Sequence, residues 1–341
     1  MSETDAAGDG AVPAPAPPAA SSSPPASSPD PGAPLARVPR RSPLILGTMG
    51  LPDPIPPGEP TPSLTTAELE RTEAILAAAL AHGIARLDTA DIYGAGRSEA
   101  ALGQVLAARP EWAGRLQVQT KFGIVPGGPG AVSHYRQDGD YVLACVEASL
   151  ARLHRDYLDV LLIHRPDPLA DYFSTGRALM HLMEEGTVRR IGVSNMGADQ
   201  ISLWRRVVPV AVNQVELSLA APAFIDCDVD APAPAGFSAS LLPFCMAEGI
   251  EVQAYSPLAR GALERRDHPV APVAARIARH RGLAPSAVLL AWLLAHPAGI
   301  RPVVGTTRPE RLAEYADAAE LSLTREEWYA LYTAARGRPL P

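Results

Sequence analysis

The chain has 341 residues, room for two average domains or for one α/β barrel of about 250 residues with an appendage. Its formal charge of −7 excludes a global electrostatic attraction to nucleic acid or an anionic membrane and leaves a small molecule as the expected partner. Cys145, Cys227 and Cys245 stand far apart, without metal-ligand or redox spacing, so they read as buried or incidental thiols and no metal site is expected.

Residues 1–41 are dominated by Pro, Ala, Ser and Gly. Ordering them would cost more conformational entropy than their few contacts could return, so a disordered tail is expected ahead of a single barrel domain over 42–341. The first ten residues lack the basic start and apolar core of a secretory signal, and no later run is apolar for long enough to span a bilayer. A cytoplasmic protein is the expectation.

From residue 44 onward, short β-branched runs alternate with amphipathic stretches of helical length. Strands are predicted over 44–48, 85–88, 116–121, 158–164, 190–194, 211–215, 251–255 and 302–305. Helical periodicity covers 66–81, 98–108, 141–153, 173–185, 198–207, 239–247 and 285–295, with further helices over 309–319 and 325–335. Gly83, Gly186 and Gly249 follow three of these helices as left-handed stops. Eight strands with helices between them predict an α/β fold of the closed (β/α)8, or TIM-barrel, type; a doubly wound open sheet is the alternative. Two long connections, 125–140 and 219–237, each follow a strand and are the expected substrate-covering loops.

Barrel enzymes place their chemistry where strands end, and here those ends are polar. Strand two runs into Asp88 and Tyr93, strand three into Lys121, and strand four into His164 and Arg165. Lys121 is also the only lysine in the chain. Arginine can serve most cationic roles, but it cannot supply a compact ammonium of adjustable pKa. If these groups converge, Lys121 can ease proton donation by the Tyr93 phenol, Asp88 can keep Lys121 charged, and His164 can donate a hydrogen bond to a carbonyl oxygen. Taken singly, each also has a structural reading as a cap, a loop aromatic, a solvated cation or a satisfied histidine.

The segments LDTADIYGAGRSEAALG, TKFG, DYLDVLLIHRPD, GTVRRIGVSN, VNQVELS, AYSPLARGAL and VVGTTRPERLAE occur in this order between residues 87 and 314. Together they resemble the successive signatures of the aldo-keto reductase superfamily, over about residues 44–320. The chain looks closest to bacterial members that carry LLIHRPDPL after strand four and a His-Tyr pair in the preceding loop, here His134 and Tyr135. The resemblance implies a (β/α)8 barrel and a catalytic tetrad of Asp88, Tyr93, Lys121 and His164.

It further implies that Ser194, Asn195 and Gln214 hold the nicotinamide amide and that Tyr255 stacks on the ring. Ser256, Pro257, Leu258 and Arg260 would lie along the pyrophosphate. Gly305, Thr306, Thr307, Arg308, Arg311 and Glu314 would serve the adenosine end, with Gly47 and Thr48 completing the cofactor contacts. Many members carry a lysine directly after strand eight for the 2′-phosphate, and this chain has Gly305 there. Arg308 and Arg311 are the expected substitutes, which makes NADPH the expected cofactor ahead of NADH. No Gly-x-Gly-x-x-Gly phosphate loop of the open-sheet kind is present.

The expected reaction is reduction of an aldehyde or ketone by hydride transfer, with Tyr93 as proton donor. Two other readings stay open: a Schiff-base aldolase using Lys121, and a cofactor-binding regulatory subunit with little turnover.

Overall fold

The structure, a computed structural model, describes residues 42–55, 59–128, 130–225 and 240–340. The expected tail over 1–41 and most of the second long loop therefore lie outside the described residues.

Eight parallel strands close a barrel in sequence order: β1 Ile45–Gly47, β2 Arg86–Asp88, β3 Gln117–Phe122, β4 Val160–Ile163, β5 Ile191–Ser194, β6 Val210–Glu216, β7 Glu251–Tyr255 and β8 Arg301–Gly305. Closure comes from pairing of β8 with β1, which sets Ile45 opposite Val303 and Gly47 opposite Gly305. The outer ring comprises α1 Thr66–Ala81, α2 Arg97–Ala108, α3 Gly139–Leu153, α4 Tyr172–Glu184, α5 Ala198–Trp204, α6 Leu241–Ala247, α7 Ala271–Arg281, α8 Pro285–Leu294, α9 Arg311–Ala316 and α10 Arg325–Arg336. Among the described residues no helix is long and apolar enough to cross a membrane.

Local chemistry sets several boundaries. At the start of α1 the Thr65 side chain accepts from the Glu68 amide while the Glu68 carboxylate accepts from the Thr65 amide, a reciprocal capping box. Gly83 and Gly249 stop α1 and α6 in the left-handed conformation, with φ of 72° and 66°. The sequence reading passes over α7, whose buried face is only Ala274, Ile277 and Ala278 among arginines. Its apolar stripe is too thin to show as periodicity. By contrast, α8 is buried from Ser286 to Leu293, because α10 covers its outer side. There Trp328 stacks on Trp292 at 5.1 Å and donates its indole N–H to the Trp292 carbonyl.

The first long connection is partly ordered: Ile124–Val125 pairs antiparallel with His134–Tyr135, and α3 begins at Gly139 rather than 141. Alternation along β3 divides its side chains, with Val118 and Phe122 in the apolar layer under the helices. Gln119 and Lys121 instead bond to inward groups of β2 and β7. The barrel interior is therefore polar at its mouth.

Outside β3 lies a buried polar compartment. Glu99 of α2 accepts from the Thr120 hydroxyl and pairs with Arg152 of α3 at 2.7 Å. Helices α2 and α3 approach so closely that a Cβ on Gly103 would be driven into the Arg152 carbonyl. Asp91, on the loop after β2, shares this space. Its amide donates to the Lys121 carbonyl at 3.2 Å, but its Oδ1 has no hydrogen-bond partner among the described residues. Burial, and then repulsion from Glu99, push its carboxyl up to about 7. The folded state thus binds this proton more tightly than the unfolded chain does. The stability it contributes is complete below the ordinary 3.8 and is lost as pH rises through about 7. Asp91→Asn removes the ionisation, so its Tm is expected to exceed that of the parent, by more at pH 8 than at pH 5. Thermal unfolding followed by circular dichroism at the two pH values checks this, and an unchanged or lower Tm at pH 8 counts against it.

Candidate active site

The strand ends and the loops that follow them enclose a cavity of about 700 Å³ at the C-terminal mouth of the barrel, a volume usual for small-molecule and cofactor sites. Asp88, Tyr93 and His164 line one end, and Lys121 lies directly beneath Tyr93.

Lys121 is fully buried, and its ammonium spends all three N–H groups: on Asp88 Oδ2 at 2.7 Å, the Thr89 carbonyl at 2.8 Å and the Tyr93 hydroxyl oxygen at 3.0 Å. Burial alone would drive its proton off, but the Asp88 carboxylate and Tyr93 outweigh burial, and its pKa lies above the ordinary lysine value. An amine held charged with no free N–H is a poor nucleophile, which runs against the Schiff-base alternative.

An ammonium only donates, so the Tyr93 oxygen must accept from it. The phenol's own proton is then free for a group in the cavity. The sequence reading expects Lys121 to ease the acidity of Tyr93. It does so only in part, because burial and the Asp88 charge together outweigh it and leave the phenol above its ordinary pKa. Tyr93 therefore stands protonated at neutral pH.

His164 is buried, with its ring edge-on to Tyr93 at a centroid distance of 6.0 Å. Burial, then the cations Lys121 and Arg165, lower its pKa to about 2, so the imidazole is neutral. Among the described residues its buried Nδ1 has no partner.

Three glutamines missed from sequence, or read only as cofactor contacts, organise the floor. Gln119 and Gln214 donate to Asp88 Oδ1 at 2.6 and 2.8 Å and to Gln253 Oε1 at 2.8 and 3.0 Å. Gln253 in turn donates to Gln119 Oε1 and to Glu251, both at 2.9 Å. Every N–H of the three amides is used. The carboxylates at the two ends, being acceptors only, fix which way each amide points. The available signal was glutamine at positions 119 and 253 of apolar strands, where alternation directs them inward.

The other end of the cavity is a groove. Ser194, Asn195 and Tyr255 meet there, the Tyr255 hydroxyl donating to Asn195 Oδ1 at 3.1 Å and the Asn195 amide to Ser194 Oγ at 2.8 Å. Beyond them the wall passes through Ser256, Pro257, Leu258 and Arg260 to Gly305, Thr306, Thr307 and Arg308, and Gly47 and Thr48 belong to the same lining. Thr48 ties β1 to β2 by donating its hydroxyl to the Asp88 carbonyl at 3.0 Å.

Asn195, Ser256, Ala259 and Arg260 all have positive φ, between 48° and 58°. Such strain in side-chain-bearing residues persists only where surrounding structure holds it, typically beside a ligand. A strained loop facing bare backbone at Gly47 and Gly305 suits a long, narrow ligand such as a dinucleotide.

Two expected contacts differ. Arg311 lines the groove, but its guanidinium is held by Glu264 at 2.7 Å and Glu314 at 3.5 Å, so it is already neutralised. Glu314 is not in the wall of the cavity and lies in a shallow cleft beside it. Arg308 is exposed, with its amide pinned to Thr306 Oγ1 at 3.0 Å. His134 and Tyr135 form the exposed hairpin strand and do not reach the cavity.

The profile of the Aldo/keto reductase family matches residues 43–335. A 6-dehydroglucose reductase of Novosphingobium aromaticivorans is 39% identical over 291 residues, covering 81% of this chain and 90% of that protein. Another 6-dehydroglucose reductase, from Agrobacterium fabrum, is 38% identical over 274 residues, covering 78% and 88%. The crystal structure of an aldo-keto reductase from Klebsiella pneumoniae in complex with NADPH superimposes with a TM-score of 0.67 at 29% identity, over 87% of this chain and 91% of that one. The chain belongs to the aldo/keto reductase family and is an oxidoreductase acting on carbonyl groups.

Proposed function

We propose that the protein reduces an aldehyde or ketone to the alcohol with NADPH, and that Tyr93 donates the proton. The observation that carries this reading is the hydrogen bond of the Lys121 ammonium to the Tyr93 oxygen at 3.0 Å, which leaves the phenol proton for the substrate.

Bound NADPH supplies the hydride that goes to the carbonyl carbon. Ser194, Asn195 and Gln214 would hold its carboxamide, and the Tyr255 ring would face the nicotinamide. Both Gln214 N–H groups are spent on Asp88 and Gln253, so Gln214 meets the carboxamide through its oxygen alone. The loop from Ser256 to Arg260, with Gly47 and Thr48, would hold the pyrophosphate, and Gly305, Thr306 and Thr307 would hold the adenosine.

As negative charge grows on the carbonyl oxygen, Tyr93 gives up its proton. The phenolate so formed lies beside the Lys121 ammonium, which stabilises it, and Asp88 keeps that ammonium charged. His164 supports the same oxygen from Nε2. We place its single proton there because a buried N–H at Nδ1 without an acceptor would cost more than a buried lone pair.

The preference for NADPH rests on Arg308 alone, since Arg311 is tied to Glu264 and Glu314. The names of the two relatives place sugar-derived aldehydes in the substrate panel.

Tyr93→Phe is expected to lower kcat for carbonyl reduction by roughly 100-fold or more while NADPH binding, read by fluorescence titration, is retained. A Phe variant as fast as the parent overturns the proton-donor role. Because the Tyr93 pKa is raised and that of His164 is held near 2, kcat for reduction should stay level from about pH 6 to about pH 9. A break near the ordinary histidine value of 6.5 would show that His164 titrates in the cycle. Arg308→Ala should weaken NADPH binding roughly tenfold and leave NADH binding unchanged; equal losses for the two cofactors would remove Arg308 from phosphate recognition.

A further inference from the structure

The cavity wall next to His164 contains a cation that no carboxylate among the described residues neutralises. Arg165 is partly buried and lines the cavity. Among the described residues its one side-chain hydrogen bond runs from Nη2 to the Tyr255 hydroxyl at a long 3.4 Å. Among the described residues no carboxylate pairs with it, in contrast to Arg311 in the same cavity, which is held by two. The contact with Tyr255 places the guanidinium at the reactive end, far along the groove from Arg308.

Its base is fixed. The Arg165 carbonyl accepts from the amide of the buried Gln137 at 2.7 Å, and the Gln137 carbonyl accepts from the Thr175 hydroxyl of α4. The remaining wall at this end includes the apolar side chains of Met49, Ile92 and Ile124. The guanidinium's planar fork of donors matches a carboxylate.

We propose that Arg165 binds an anionic group of the substrate, so that the carbonyl compounds this enzyme prefers carry a carboxylate away from the reacting carbonyl. The inference rests on the reductase reading above, with the carbonyl oxygen between Tyr93 and His164.

Its test compares the 3- and 4-carboxybenzaldehydes with the corresponding carbamoylbenzaldehydes, neutral and nearly equal in size. At least one acid should be preferred over its amide by roughly tenfold or more in kcat/KM, as hydrogen bonds to charged groups allow. Arg165→Met should bring that ratio close to unity through the KM of the acid, and Arg165→Lys should restore part of it. If no acid is preferred, or if Arg165→Met slows acid and amide by the same factor, the proposal fails and Arg165 serves only to position Tyr255.

Binding is read separately from turnover by ligand-observed NMR of the matching hydroxymethylbenzoates and hydroxymethylbenzamides on the enzyme with NADP+. An acid preference lost in Arg165→Met supports the site, and one that survives the substitution overturns it. Absence of reduction with every aldehyde, alongside such binding, would sink the reductase reading while leaving the anion site standing.

Discussion

The site turns on one buried ammonium. Removing a lysine charge from water costs several kcal/mol, and the charge persists only where hydrogen bonds and a counter-charge repay that cost. Lys121 has both, with three acceptors within 3.0 Å, one of them the Asp88 carboxylate. This requirement explains why arginine, used almost everywhere else in the chain, does not stand here. A guanidinium would bring five donors in a rigid plane where three acceptors converge on one nitrogen. It also dictates the direction of the neighbouring hydrogen bond, since a donor-only group makes the Tyr93 oxygen an acceptor and frees its proton.

Holding Asp88 for that task reaches down through the barrel. Gln119 and Gln214 engage the carboxylate oxygen that Lys121 leaves, Gln253 engages both glutamines, and Glu251 receives the last N–H while pairing with Arg86 and Arg301. The interior here holds a satisfied polar column beside a small aliphatic cluster of Val160, Leu162 and Val212. Such a network is rigid because each amide has one workable orientation, and a half-satisfied version would cost more than an apolar core. The same column presents Gln214 to the cavity with its oxygen as the remaining hydrogen-bonding atom.

Much of this was legible in the chain. The eight strands were visible because their β-branched runs are short and bounded, and the helices because wide apolar faces repeat at helical spacing. The exception, α7, buries three small side chains and shows why a thin stripe escapes notice. Asp88, Tyr93, Lys121 and His164 stood out as polar groups at strand ends. The glutamine column did not, because an uncharged amide in an apolar strand reveals its partners only once strands 31 to 134 residues apart in sequence are brought side by side. The pairing of Arg311 is hidden from the sequence for the same reason: Glu264, which holds it, is 47 residues away.

By itself the sequence determined that Asp88, Lys121 and His164 stand at strand ends, with Tyr93 in the loop that follows Asp88. The barrel register carries the ends of β2, β3 and β4 to one mouth, and each residue type limits the hydrogen bonds and charges it can hold. The closed barrel decided how those groups share protons and charge. Burial weighs more on Tyr93 than its neighbouring cation does, His164 is kept neutral by burial and by two cations, and among the described residues Arg165 has no carboxylate partner while Arg311 has two. These outcomes depend on distance and on exclusion of water, quantities that exist only after the strands have closed.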